Sequence, residues 1–358
     1  MGLNKLLSKR PENVIKKLGK DSKICLLSSK DIFSCIYDLN ISIIACNTRI
    51  KWVIPGIMKA AKETEAVVGF ELARTECNLE GGYTGFTPQT FFETLIEFAE
   101  REKFYLPFFI HADHTSVRNN SSEEIEYARK LLKACYEAGY TSFAIDASHN
   151  PLEENKRITL ELARELDNEG FGIEVEVGEI TSSGEAPKIT EISEAVDYIS
   201  FLFDNGLTPD LLAINNGSKH GNYKEGEEIF IDLKRTEEIF SAMKKWRVGI
   251  AQHGTTGTPD EIIKKFPFHG IKKVNVGTLW QNIAHSNLPP ELFSKMKEWS
   301  ENQRKDIKYA NKEFKKEIDT IGKEYQERIA YQSYKEAIKL IKNLCSIGSA
   351  NAVVERLG

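Results

Sequence analysis

The sequence lacks any apolar run approaching the ~20 residues that a membrane-spanning helix requires, so no part of its 358 residues is expected to enter a membrane. It also lacks a positive surplus. Its 48 Lys and Arg face 53 Asp and Glu for a net charge of -5, which argues against nucleic acid as the partner. Cysteine is sparse: six residues with no CxxC pair, several in apolar contexts such as Cys46 in ISIIACN and Cys135 in LLKACYEAG. They read as buried, reduced thiols of a cytoplasmic protein. The N-terminal stretch MGLNKLLSKRPENVIKKLGK is basic and amphipathic but has neither the apolar core nor the small-residue cleavage site of a signal peptide. It is expected to form a surface helix. No internal repeat or low-complexity segment is present, and no Gly-rich fingerprint follows the first predicted strand, which weakens a dinucleotide-binding reading.

What is present is alternation. Short β-rich runs at 41–47, 66–72, 104–113, 141–148, 172–178, 209–216, 246–254 and 271–278 are separated by amphipathic helical stretches such as EEIEYARKLLKACYEAG. That order implies parallel strands joined by helical crossovers. A closed barrel and an open doubly wound sheet both fit; the count of eight favours an α/β fold of the (β/α)8 TIM-barrel type. Gly81, Gly82 and Gly85 in NLEGGYTGFTP mark a loop, either substrate-touching or a plain turn before Pro88. After residue 289 the chain becomes Lys- and Glu-rich and almost wholly helical. We therefore divide it into a barrel domain, 1–288, carrying the N-terminal helix, and a helical C-terminal extension, 289–358, packed on the barrel or on a partner subunit.

The chemistry is at the strand ends, where barrels of this class carry their sites. The third predicted strand ends in His111-Ala112-Asp113-His114 and the fourth in Asp146-Ala147-Ser148-His149. The fifth holds Glu174 and Glu176, the sixth leads to Gly217-Ser218-Lys219-His220-Gly221, the seventh ends in His253-Gly254, and the eighth carries Asn275 and Thr278. A lone histidine is more often a hydrogen-bonding residue than a ligand. Convergence of imidazoles from different strands around an open fourth position is instead the arrangement of a catalytic zinc. His149 reads as a turn residue or one that supports the site from behind, His269 and His285 as peripheral, His111 as hydrogen-bonding a neighbour, and Trp280 as packing.

The segments IHADH, IDASHNPLEENKRIT, EVEVGEI, GSKHGNY, AQHGTTGTP and IKKVNVGT resemble, in order, those of class II fructose-bisphosphate aldolases, over about residues 41 to 285, with SIGSANAV an echo near the C-terminus. That resemblance implies a zinc ion held by His114, His220 and His253, with Asp146 and Glu176 able to hold it in a second, alternative position. It implies Asp113 as the acid/base and Glu185 as the loop base, with Glu179 a competitor. Gly221, Gly254 and Thr256 would receive a phosphate, while Asn275, Thr278 and Asn47 would meet the substrate. A monovalent cation near the phosphate, a sugar bisphosphate substrate and a homo-oligomer, dimer or tetramer, are also implied. The implied reaction is reversible cleavage of fructose 1,6-bisphosphate, in glycolysis and gluconeogenesis, with tagatose 1,6-bisphosphate as the alternative substrate.

The chain departs from the family pattern in three places. GTTG stands where Gly-Gly-Ser-Gly is common, NVGTLWQN replaces an acidic continuation, and Glu185 in GEITSSGEAP is displaced by one residue. FELARTECNLEGGYTGFTP resembles non-catalytic subunits associated with tagatose-bisphosphate aldolases, which leaves a supporting, non-catalytic barrel as the reading of another class. Retention of the histidines, the aspartate and the phosphate loops together favours the enzyme.

Overall fold

A computed structural model describes residues 2–178, 189–219, 221 and 229–358. Eight parallel strands pair in sequence order and close into a barrel: β1 (Ile43–Asn47), β2 (Val68–Ala73), β3 (Phe108–Ser116), β4 (Ser142–Asp146), β5 (Gly172–Val177), β6 (Leu211–Ile214), β7 (Gly249–Gln252) and β8 (Ile271–Val276), with β8 pairing back onto β1. All eight runs expected from the sequence are strands, and closure decides between the barrel and the open sheet. Each crossover carries helix. The helix Ser122–Ala138 shows why: Ser121 accepts from Glu124 N–H at its start, Glu123 and Glu124 occupy its first turn, and Gly139 at φ 111° stops it. Ile125, Ala128, Leu131, Leu132 and Cys135 recur at helical spacing and bury one face. Each large side chain so buried contributes about 1.5–3 kcal/mol, and truncating Leu131 to Ala would cost about 2–5 kcal/mol.

Side chains alternate along a strand, so positions two apart share a face. Inside this barrel the alternation builds layers of changing chemistry. Along β3 the inward series is Phe109, His111, Asp113; along β8, where the pairing with β7 shifts register between Ile271 and Lys273, it is Lys273, Asn275; along β5 it is Gly172, Glu174, Glu176. Apolar residues thus close the N-terminal end, buried charges fill the middle, and the groups that can do chemistry reach the C-terminal end. Strand β3 is irregular where it matters: its pairing with β4 shifts register between Ala112 and Thr115, and His114 takes φ 40°. A bulge of this kind re-aims side chains. A non-glycine residue in the left-handed region is unfavourable locally and persists where the surroundings enforce it.

The termini differ from expectation in an informative way. The first residues form two short helices, Gly2–Leu7 and Glu12–Leu18, instead of one surface helix. They lie against the N-terminal end of the barrel: Leu6 and Val14 are fully buried, and the Arg10 guanidinium is buried, donating to the carbonyls of Leu7, Ser22, Gly19 and Lys20. The basic pattern gave the helices but not the contacts that bury them. The extension packs on the barrel. Its helix Lys323–Asn343 lies along Ile54–Thr64 so closely that a Cβ on Gly56 would sit 1.9 Å from the Ala330 carbonyl. Trp52 donates to Ile318 O at 2.7 Å. The last helix, Ser349–Leu357, packs against Ser29–Ile36 beneath the barrel. All six cysteines are free, five of them buried and Cys345 exposed. Trp280 is fully buried, as a packing residue should be. His285 is not peripheral: it is buried and 2.8 Å from Asn311 Oδ1, joining the last barrel helix to the extension.

Candidate active site

A cavity of 310 Å³ opens at the C-terminal end of the barrel and draws lining residues from all eight strands or the loops that follow them. At its floor stands Asp113, with 3% of its surface exposed. One of its oxygens accepts from Asn47 at 2.9 Å and the other from Asn275 at 3.0 Å, so two amides from β1 and β8 fix the carboxylate in place. Burial works to neutralise Asp113, but the positive charge of His114 and of Lys273 outweighs it and holds the carboxyl well below the usual range.

His114, turned by the bulge, lies 3.1 Å from Glu176 and 3.3 Å from Asp146 through Nδ1. Its ring centroid is 4.3 Å from that of His253. Burial opposes charge on His114, yet the surrounding Asp113 and Glu176 pull its pKa well above the ordinary value. Asp146 is in turn held by Ser148, whose hydroxyl donates at 2.6 Å, and by Ser116 at 3.1 Å. Burial and then the neighbouring Asp146 raise Glu176. Ligand atoms of Asp113, His114 and His253 lie within 4.8 Å of one another, and so do those of His114, Asp146 and Glu176. Three carboxylates around two imidazoles, all withdrawn from bulk water, form a donor set that a divalent cation would neutralise, so the residues fit a metal. A third group, Glu71 with His111 and Asp113, already has a cation: Lys273 Nζ is 3.0 Å from Glu71 Oε2.

The loops expected to receive phosphate also meet here. Gly254, at φ 68°, passes so near the backbone of Lys219 that a Cβ would lie 2.3 Å from its carbonyl oxygen. Only glycine allows that approach. Gly221, Gly254, Thr256 and Thr278 all line the cavity. Thr256 Oγ1 accepts from Leu279 N–H at 3.1 Å, which ties the loop after β7 to the helix after β8. Of the site residues expected from the sequence, Asn47, Asp113, His114, Asp146, Glu176, Gly221, His253, Gly254, Thr256, Asn275 and Thr278 are thus gathered in one cavity. His220, Glu185 and Glu179 lie outside the described residues. His111 behaves as expected, with Nδ1 2.6 Å from Ser142 Oγ.

Several residues here were given no role from the sequence, Glu174 having been named only as a polar residue of the fifth strand. Arg49 forms an ion pair with Glu76 at 2.7 Å and reaches Thr278 Oγ1 at 3.4 Å; Tyr83 also donates to Glu76, at 2.9 Å. Lys308, from the helical extension, lines the same cavity. Glu174 and Lys273 form a buried ion pair beneath it at 2.8 Å. For Glu174 and Lys273 a signal existed, since each sits two residues before a site residue on its strand. For Arg49 and Lys308 none did, because loop and tail contacts leave no periodicity.

A parallel eight-stranded barrel with a buried aspartate and a histidine–carboxylate cluster at its C-terminal end defines a barrel enzyme whose residues could hold a metal. The particular family follows from comparison with known proteins. The family model described as "Fructose-bisphosphate aldolase class-II" matches residues 27–333, and the chain belongs to that family of lyases. A fructose-bisphosphate aldolase of Streptococcus pyogenes serotype M3 is 31% identical over 238 residues, covering 66% of this chain and 73% of that one. One from Geobacillus stearothermophilus is 28% identical over 245 residues, covering 67% and 76%. Among solved structures, the YdjI aldolase from Escherichia coli K12 superimposes with a TM-score of 0.65 at 21% identity, over 91% of this chain and 99% of that one. At that identity the likeness speaks for the fold.

Proposed function

We propose that this chain is a zinc-dependent aldolase that reversibly cleaves fructose 1,6-bisphosphate to dihydroxyacetone phosphate and glyceraldehyde 3-phosphate, in the cytoplasm, as part of glycolysis and gluconeogenesis. The observation that carries the proposal is the Asp113 carboxylate, fixed by Asn47 and Asn275 beside His114 and His253. Cleavage needs a base at the C4 hydroxyl and an electron sink at the C2 carbonyl. His114, His253 and His220 would hold a zinc ion, which when bound would supply that sink as a Lewis acid at the carbonyl oxygen. Asp113, ionised and acceptor-only, takes the C4 hydroxyl proton. As that oxygen becomes the aldehyde, the C3–C4 bond breaks and its electron pair passes into the dihydroxyacetone phosphate half. Glu185, which follows β5 in sequence, then returns a proton to C3.

Asp146 and Glu176 offer an alternative resting place for the ion beside His114. Backbone N–H groups at Gly221 and Gly254 and the Thr256 hydroxyl receive one phosphate, a recurrent use of glycine loops, with a monovalent cation beside it. Asn275 and Thr278 meet the dihydroxyacetone phosphate half, and Arg49 and Lys308 give the cavity the positive charge that a second phosphate calls for. The test pairs metal analysis of the purified chain with cleavage assays on fructose and tagatose 1,6-bisphosphate. Zinc content with faster turnover of the fructose isomer is expected. Cleavage of neither ketose would defeat the proposal, and preference for the tagatose isomer would correct its substrate.

A further inference from the structure

Beneath the cavity a chain of buried groups runs from a proposed metal ligand into the middle of the barrel. His253 Nε2 is 2.9 Å from Glu174 Oε1; Glu174 Oε2 accepts from Lys273 Nζ at 2.8 Å; and Lys273 reaches Glu71 at 3.0 Å on its other side. Each of these residues is at most 2% exposed. We infer that Glu174 is a positioning residue: its carboxylate, locked by Lys273, fixes the ring form in which His253 presents Nδ1 to a metal. The inference rests on the reading of His253 as a ligand.

The physical argument is one of donors and acceptors. An ionised carboxylate only accepts hydrogen bonds, so a carboxylate oxygen at 2.9 Å requires His253 Nε2 to carry the proton and donate it. The lone pair is then on Nδ1, on the side of Asn275, whose amide nitrogen is 3.4 Å away and also holds Asp113. Carboxylates behind ligand imidazoles act in this way, fixing tautomer and orientation and raising ligand basicity. Lys273 makes the arrangement selective. Its ammonium is donor-only, so whatever occupies position 174 must turn an acceptor toward it.

That constraint makes an isosteric change informative. In Glu174→Gln the amide oxygen must face Lys273, which aims the NH2 at His253 Nε2. The imidazole must then accept at Nε2 and carry its proton on Nδ1, where a metal cannot bind. Adding Lys273→Met frees the glutamine to turn its oxygen back toward the ring. Glu71→Gln, which touches Lys273 but no ligand, serves as the control.

The experiment is competition for Zn2+ against a chromophoric chelator, with circular dichroism to establish folding and 15N NMR of histidine-labelled, metal-free protein to read the tautomer. We expect Glu174→Gln to weaken zinc binding by about 10–100-fold and to move the His253 proton from Nε2 to Nδ1. Lys273→Met added to it should recover most of the affinity, and Glu71→Gln should bind zinc like the wild type. If Glu174→Gln does not fold, the Glu174→Met/Lys273→Met pair removes both charges together and should fold with weakened zinc binding. Wild-type protein that binds no zinc overturns the ligand reading itself. Wild-type protein that binds zinc, with unchanged affinity or an unchanged tautomer in the variants, overturns the role of Glu174 and leaves that reading intact.

Discussion

At the N-terminal end of the barrel Phe109, Leu211 and Ala251 close the strands with apolar side chains, under a cover of Phe33 from the helix Ser29–Ile36 and of Leu6, Ala350 and Val353 from the two chain termini. At the C-terminal end β1, β3, β4, β5 and β8 carry Asn47, Asp113, Asp146, Glu176 and Asn275 around an open cavity. Only three residues of β3 separate Phe109 from Asp113, with His111 the middle one. One end is closed by buried apolar side chains and supplies stability. The other gathers carboxylates and imidazoles around an open cavity, where the proposed cation and anionic substrate would bind. The difference teaches that the barrel separates folding from chemistry by depth, so substitutions two residues apart on one strand should fail in different ways.

The largest effect is expected at the open end. Asp113→Ala should lower aldol-cleavage turnover by about 10²–10⁴-fold while thermal melting and zinc content stay near wild type; equal loss of turnover and fold would erase the contrast between the ends. His253→Ala should remove both bound zinc and cleavage, and metal analysis alongside the assay checks it. At the closed end, Phe109→Ala should destabilise by about 3–5 kcal/mol, read by denaturant unfolding, with turnover of the folded protein unchanged. A fall in turnover matching the Asp113 variant would show that the ends are not separable.

The smallest effect belongs to the layer between them. Burial, and then the nearby Lys273, push the His111 pKa down to about 3. Between that value and the ordinary ~6.5 of an unfolded histidine, the unfolded chain binds a proton that the native protein does not. Stability from this group therefore falls as the pH drops through that window. His111→Gln should be less stable than wild type at pH 7, having lost the Ser142 contact, and the gap in melting temperature should narrow toward pH 4. A gap that stays constant across the range would contradict a buried, neutral His111.

Much of this organisation was legible in the sequence, because the signals were periodic or local. Strand–helix alternation marked all eight strands, and the polar residues ending them marked the cavity; pairing in strand order then closed the barrel. What escaped depends on contacts between parts distant in sequence. The N-terminal segment carries a surface-like charge pattern, yet Arg10 is buried because five backbone carbonyls from residues 7 to 24 converge on its guanidinium. Lys308 enters the cavity from a helical tail whose composition reads as solvated. The strand positions of Glu174 and Lys273 were legible, but not their pairing, since only closure of the barrel brings β5 and β8 face to face across the interior.

The most direct test of the account is the dependence of ketose-bisphosphate cleavage on a metal held by these histidines. Cleavage of fructose 1,6-bisphosphate should vanish when the protein is stripped with a chelator, return on adding Zn2+, and fail to return in His114→Ala. Full cleavage by the stripped protein would contradict the account at its centre.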